Sequence, residues 1–228
     1  MTSSKNDMKY YLIKNDVESK VVGKKYPQLE CNNLVYAHAI PSHGPCKMQF
    51  RLSFDLIKGA KLTDVLSTLG ISACGFIISE RLKNILECYK LEQFELIPVE
   101  VIGTKQIYNY YYLHFYGLDM VHCLDYQQSI FRITKFGFED LGTKKFDSYE
   151  SYQEYIKEYD NNYSLMTPLE YVVLKEDFKD FDFFSFPQFY HEMFVSERLK
   201  QCLEDNHITG FFFEEKYQMV KISELLKL

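Results

Sequence analysis

The five residues Ser79-Glu80-Arg81-Leu82-Lys83 recur unchanged as Ser196-Glu197-Arg198-Leu199-Lys200, and Leu86-Glu87 recurs as Leu203-Glu204 at the same offset of 117. The surroundings recur as well. A short apolar run precedes each serine (Phe76-Ile77-Ile78 and Met193-Phe194-Val195), leucines at helical spacing follow it, and a second apolar run closes each unit, over 94–102 and 210–213. Serine is a strong helix N-cap because its hydroxyl accepts a backbone N–H that the first turn leaves unpaired, and the glutamate sets an anion at the positive end of the helix. The pattern therefore predicts a strand–helix–strand unit present twice, capped by Ser79 and Ser196. Two copies do not make a solenoid, which needs at least about three stacked repeats to bury a continuous core. Cap, dipole and solvated-face roles already account for the Ser, Glu, Arg and Lys. Neither serine stands in a Gly-x-Ser-x-Gly elbow.

The rest of the chain reads mainly as strands, at 8–13, 48–54, 108–115, 121–124, 130–133 and 170–174. Leu62, Val65, Leu66 and Leu69 fall at i, i+3, i+4 and i+7 and predict a short helix over 62–69, and 147–159 predicts an amphipathic one. Pro98 argues for an edge strand or a bulge at 94–102, since proline brings no N–H to a ladder. The expected fold class is α+β, with mixed or antiparallel sheets, short helices and the duplicated strand–helix–strand unit. A regular β–α alternation is missing, which argues against a doubly wound sheet. Residues 1–228 are read as a single domain, either one body or two related lobes, about 1–140 and 165–228.

Charge excludes one class of partner. With 26 Lys+Arg against 32 Asp+Glu the net charge is -6, so a nucleic-acid footprint of clustered cations is not expected. No run of 18 apolar residues occurs, so no membrane-spanning helix is expected. The first residues lack the apolar core of a signal peptide, and the six cysteines follow no framework spacing. A cytoplasmic protein with reduced thiols is expected. The 19 Phe and 19 Tyr, with no Trp, suit strands and a β-rich core, although tyrosine is also enriched at interfaces.

Four constellations could carry chemistry. Cys31, His38, His43 and Cys46 offer zinc donors within sixteen residues, but Cys-x6-His-x4-His-x2-Cys is no finger spacing, so incidental loop residues are the simpler reading. His122 and Cys123 are adjacent, and in a strand they would point to opposite faces and could not form a dyad with each other. Glu150, Glu154 and Glu158 recur every four residues, with Asp147 one turn earlier, forming an acidic ridge opposite Tyr149, Tyr152, Ile156 and Tyr159. Asp177, Asp180 and Asp182 interleave with Phe178, Phe181, Phe183 and Phe184, either as a basic-cleft plug or as a loop anchored to the core by its rings.

The phrases Ile78-Ser-Glu-Arg-Leu-Lys-Asn-Ile-Leu-Glu with Phe94-Glu-Leu-Ile-Pro-Val, and Val195-Ser-Glu-Arg-Leu-Lys with Thr209-Gly210-Phe211, carry a likeness. With Lys61-Leu62-Thr63-Asp64-Val65-Leu66 and Lys9-Tyr10-Tyr11-Leu12, the chain resembles a bacterial polymorphic-toxin immunity family first catalogued as a domain of unknown function. The resemblance implies a cytosolic antidote that binds and silences a cognate toxin by occlusion. It supplies no catalytic residue, and no cofactor or metal is expected. The partner is expected to be a basic toxin protein, with no nucleic acid or membrane, docking on Asp147, Glu150, Glu154, Glu158, Asp177, Asp180 and Asp182. Two alternatives stay open. One is a hydrolase-like enzyme with His114 or His122 in a pocket beside a cysteine and a carboxylate. The other is a self-associating scaffold.

Overall fold

The computed structural model describes residues 9–42, 44–47, 50–160, 165–186, 189, 192–214 and 218–221. In chain order the elements are β1 (Tyr10–Asn15), α1 (Ser19–Val22), β2 (Leu29–Cys31), α2 (Leu34–His38), β3 (Leu52–Leu56), β4 (Val65–Leu66), β5 (Gly75–Ser79), α3 (Glu80–Leu86), β6 (Phe94–Ile102), β7 (Ile107–Phe115), a 3-10 turn (Leu118–Cys123), β8 (Ile130–Lys135), β9 (Glu139–Lys144), α4 (Tyr149–Asp160), β10 (Leu165–Met166), β11 (Leu169–Leu174), β12 (Phe183–Phe186), β13 (Glu192–Ser196), α5 (Glu197–Asp205), β14 (Phe211–Glu214) and β15 (Gln218–Lys221). The fold is α+β with mixed and antiparallel sheets, as the sequence pattern predicts.

Three sheets result, in the orders β12-β13-β1-β14, β2-β3-β6-β7-β5-β4 and β10-β8-β11-β15, with β9 also on β8. The first is the middle layer. Strand β13 is buried at every position, which is why its sequence shows no polar alternation. Its Phe194 joins Tyr10, Leu12, Phe184 and Phe186 in a core against the β8 sheet, while Met193 and Val195 join Ile13 and Phe183 in a core against β5 and β7. A third core lies beyond, between Ile77, Tyr112 and Phe54 and the residues around α2. Most of the aromatic excess is accounted for here. Tyr126, Phe131, Phe146, Tyr152 and Phe189 pack ring on ring at centroid distances of 5.0–6.4 Å.

The strand orders β4-β5-β7-β6 and β12-β13-β1-β14 are alike, with every neighbour antiparallel. The two are also cross-braced. Behind α3, Lys90 and Glu92 exchange backbone hydrogen bonds with Asp182 and Phe183, and behind α5, Thr209 accepts from the N–H of Val65. Strand β1 pairs with β13 and β14, and β8 with β11, so hydrogen bonding runs across the 140–165 stretch that the two-lobe alternative treats as a joint.

Three local expectations are corrected. Residues 62–69 form no helix. Val65 and Leu66 are the two residues of β4, adjacent and both buried, one in each of two cores, which only an extended backbone achieves. The run 121–124 is not a strand but lies mostly in the 3-10 turn that connects β7 to β8, with Met120 and Val121 turned inward. A short apolar run carries no period of its own, so its burial is compatible with either conformation. Pro98 sits in an interior strand. The β3 ladder starts one residue later, at Val99, so no donor is missed there. The strand expected at 48–54 is found at Leu52–Leu56, and residues 48–49 lie outside the described ones.

Candidate partner-binding face and buried clusters

Helix α4 begins where Ser148 and Ser151 satisfy each other's termini. The Ser151 N–H donates to the Ser148 hydroxyl at 3.3 Å, and the Ser148 N–H to the Ser151 hydroxyl at 3.1 Å. Its apolar stripe faces the core as expected. Tyr152 is buried with its hydroxyl 2.7 Å from Thr167 Oγ1, and Tyr149, Tyr155 and Ile156 pack partly buried beside it. The side chain of Tyr159 lies outside the described residues. Glu150, Glu154 and Glu158 are exposed on the other side, as is Asp147 just before the helix. Asp147, Glu154 and Glu158 line an open groove of about 640 Å³, with Lys144, Lys145 and Tyr155 on its walls. Lys144 is held over the Tyr155 ring at 4.5 Å. Glu150 is not among the groove residues. The Ser148 hydroxyl, a backbone N–H and then the more distant His122 and Lys175 hold its carboxyl below the ordinary range.

The second acidic group is not one surface. Asp177 is exposed and Asp180 half-buried, but Asp182 is fully buried. Its carboxylate accepts from both sides of the Arg198 guanidinium, from the Ser196 hydroxyl at 2.7 Å and from the Lys90 N–H at 2.9 Å. Burial pushes this carboxyl up, and Arg198, Lys90 and Ser196 together outweigh it and hold it low. Phe178, Phe183 and Phe184 are buried, so the rings anchor this stretch to the core.

Ser79 and Ser196 cap α3 and α5, accepting from the N–H of Leu82 and Leu199 at 3.1 and 3.3 Å. Each also donates to an aspartate one strand back, Ser79 to Asp64 at 2.8 Å and Ser196 to Asp182. Each hydroxyl is thus engaged between its helix N-terminus and its aspartate, so the caps do structural work.

The histidine candidates separate. His114 is sealed in the core, its Nδ1 2.9 Å from Glu95 Oε1 and its ring stacked on Tyr112, while Nε2 is buried without a partner. A carboxylate is beside it, but the imidazole is 0% exposed. His122 is exposed and meets Tyr149 edge-on at 5.8 Å. Of the zinc candidates, Cys31 lies in β2, His38 ends α2, Cys46 donates its N–H to Glu95, and His43 lies outside the described residues. Among the described residues no group of three or more His, Cys, Asp or Glu side chains is placed to hold a metal ion, and no helix is long and apolar enough to cross a membrane.

Sequence reading missed Glu92. It is 3% exposed, and burial, against hydrogen bonds from Ser185, pushes its carboxyl up to about 8. Oε1 accepts from the Ser185 hydroxyl at 2.6 Å, whereas Oε2 has no partner. Lys90 and Gln93 on either side are exposed, so no local signal marks Glu92 for burial, and it is the backbone cross-brace to Phe183 that brings it against Ser185.

No curated protein matches the chain. A family model described as an immunity protein family, Imm11, matches residues 9–218, nearly the whole sequence. With that match the expectation of an immunity family holds: the chain belongs to the Imm11 immunity protein family.

Proposed function

We propose that this protein is a cytosolic bacterial antidote, which binds a cognate toxin of a polymorphic toxin system and silences it stoichiometrically by covering its working surface. The observation that carries the reading is the family match over residues 9–218. An immunity family suggests a binding role and not catalysis, and a sealed His114 is consistent with that. The docking face we assign is the α4 ridge with its groove: Asp147, Glu150, Glu154 and Glu158, joined by the exposed Asp177. Buried Asp182 is left out of it. Helix α4, pinned through Tyr152, presents Glu150, Glu154 and Glu158 from a fixed backbone at little entropic cost, and a basic partner gains encounter rate and selectivity from the acidic face. The two Ser-Glu-Arg-Leu-Lys units are, in this reading, copies of one ancestral element. The matching caps, aspartates and strand orders support that.

A tagged full-length chain recovered from its host and washed at rising salt tests the assignment. One basic protein is expected to stay bound at about 0.15 M salt and to leave near 1 M, since exposed charge pairs are screened. The triple variant Glu150→Lys, Glu154→Lys, Glu158→Lys is expected to slow association by about tenfold or more. Binding that ignores both salt and charge reversal rules out the ridge, and recovery of no protein partner rules out the antidote. The scaffold alternative has one observation in its favour, the exposed Phe136, Phe138 and Leu141 on the β8–β9 hairpin. Concentration-dependent sedimentation of the isolated chain would select it.

A further inference from the structure

Helices α3 and α5 cover matching positions. Across the ladders Ile78 faces Tyr111 where Val195 faces Tyr11, and Leu113 faces Leu96 where Ile13 faces Phe213. At α5 the Tyr11 hydroxyl donates to Glu197 at 3.1 Å, and the Lys200 ammonium lies over two rings, 5.0 Å from Tyr11 and 5.3 Å from Phe213. At α3 the same set recurs with one part missing. Tyr111 hydrogen-bonds Glu80, and Lys83 lies 5.2 Å over the Tyr111 ring, but Leu96 stands where Phe213 would supply the second ring. A cavity of about 250 Å³ is found there instead, walled by Leu86, Leu96 and Leu113, rimmed by Lys83 and Glu87, and open beside the exposed Phe94.

We propose that this cavity receives an aromatic side chain, Phe or Tyr, from the partner protein, with its ring in the place that Phe213 fills at α5. The complementarity is electrostatic as well as steric. An ammonium favours the negative face of an aromatic ring, and Glu80 and Glu87 hold Lys83 over the opening at 3.0 and 3.3 Å. An apolar cavity of roughly 150 Å³ already accepts a benzene-sized guest, so this one has room for a phenyl or phenol ring. A buried aromatic anchor in an apolar pocket is the usual centre of a binding hot spot. The inference rests on the partner-binding reading above and adds to the α4 ridge an apolar contact built from other residues.

Leu96→Phe is the deciding variant, because it fills the cavity with the ring that the α5 side already accommodates and so keeps the fold. Methyl-resolved NMR of the full-length chain titrated with N-acetylphenylalaninamide is expected to show saturable shifts at Leu86 and Leu113. N-acetylleucinamide should give weaker ones, and L96F should abolish them. L96F is also expected to weaken the toxin recovered from the host by about tenfold or more, with its thermal midpoint unchanged. No saturable shift, or the same shift in L96F, overturns the proposal. So does a toxin affinity indifferent to L96F while the amide still binds, which would make the cavity a small-molecule site. Failure to recover any protein partner removes the antidote reading and the partner's ring together. The amide titration reads the cavity without a toxin and so tells the two failures apart.

Discussion

Asp182 and Arg198 form a two-pronged ion pair whose halves live in different media: the carboxylate is 0% exposed and the guanidinium side chain 62%. Asp64 and Arg81 occupy the same positions around α3, but more loosely, at 3.8 Å and with the carboxylate 13% exposed. The buried aspartate therefore serves less as a charge partner than as the acceptor that ties Lys90, Ser196 and Arg198 to one point.

Asp182→Ala should cost about 2–4 kcal/mol in urea unfolding, since it strands the buried Ser196 hydroxyl and the Lys90 N–H. Asp64→Ala should cost about half as much. Because the Asp182 carboxyl is held below its ordinary 3.8, its contribution is present above that pH and lost as pH falls through the folded value. An Asp64 variant as damaged as the Asp182 one would refute this ranking.

Glu92 acts in the opposite sense. Unfolded, it ionises near 4.5; folded, near 8, so between those values the folded chain keeps a proton that the unfolded chain releases. Stability should decline as pH rises through that window, by an amount on the order of a few kcal/mol. Glu92→Gln should flatten the decline and leave the protein more stable than wild type above pH 8. A pH–stability curve unchanged by the substitution would mean Glu92 is ionised in the fold.

Gly210 is the point where the chain leaving α5 crosses β4. It has φ +96°, and a Cβ there would collide with the carbonyl oxygen of Val65 and stand 2.7 Å from Thr63 Oγ1. Gly210→Ala should therefore lose about 3 kcal/mol or more, through strain and a rigid neighbour together. Gly142, with φ +92° and nothing near its Cβ position, should lose only about 1 kcal/mol on the same change, which isolates the backbone cost.

The two caps should differ as well. Ser79→Ala should cost about 1 kcal/mol, the ordinary value of an N-cap. Ser196→Ala should cost more, about 2 kcal/mol, because the aspartate that loses its donor is fully buried there, whereas Asp64, which Ser79 serves in the same way, is partly open to water. Equal losses in thermal unfolding would show that the burial of the aspartate matters little.

What could be read in advance follows from how local its cause is. The caps at Ser79 and Ser196, the leucines of α3 and α5, and Tyr149, Tyr152 and Ile156 of the α4 stripe are set by residues within one or two turns, and each is found as predicted. Residues 62–69 show the limit. Four apolar residues at helical spacing were outvoted by two cores that claimed Val65 and Leu66 from opposite sides. Nothing local marks Asp182 or Glu92 for burial, because the Lys90 N–H and the Ser185 hydroxyl that they meet lie more than 90 residues away in the chain. The acidic ridge was legible as a ridge, while its division, with Glu154 and Glu158 in the groove and Glu150 apart, depends on where Lys144 and His122 happen to lie.

The place of β1 has a consequence for how the chain comes to exist. Its Tyr11 and Lys14 find their partners 186 and 200 residues later, at Glu197 and Glu214, and the middle sheet closes only around it. During synthesis this strand leaves the ribosome long before β13 and β14 do, with both its edges unpaired, so the central layer can assemble only after translation of α5. Until then a nascent chain has no complete middle layer for its outer sheets to rest on. A chain stalled before α5 would thus lack its central layer, and on the antidote reading proposed above it would give no protection.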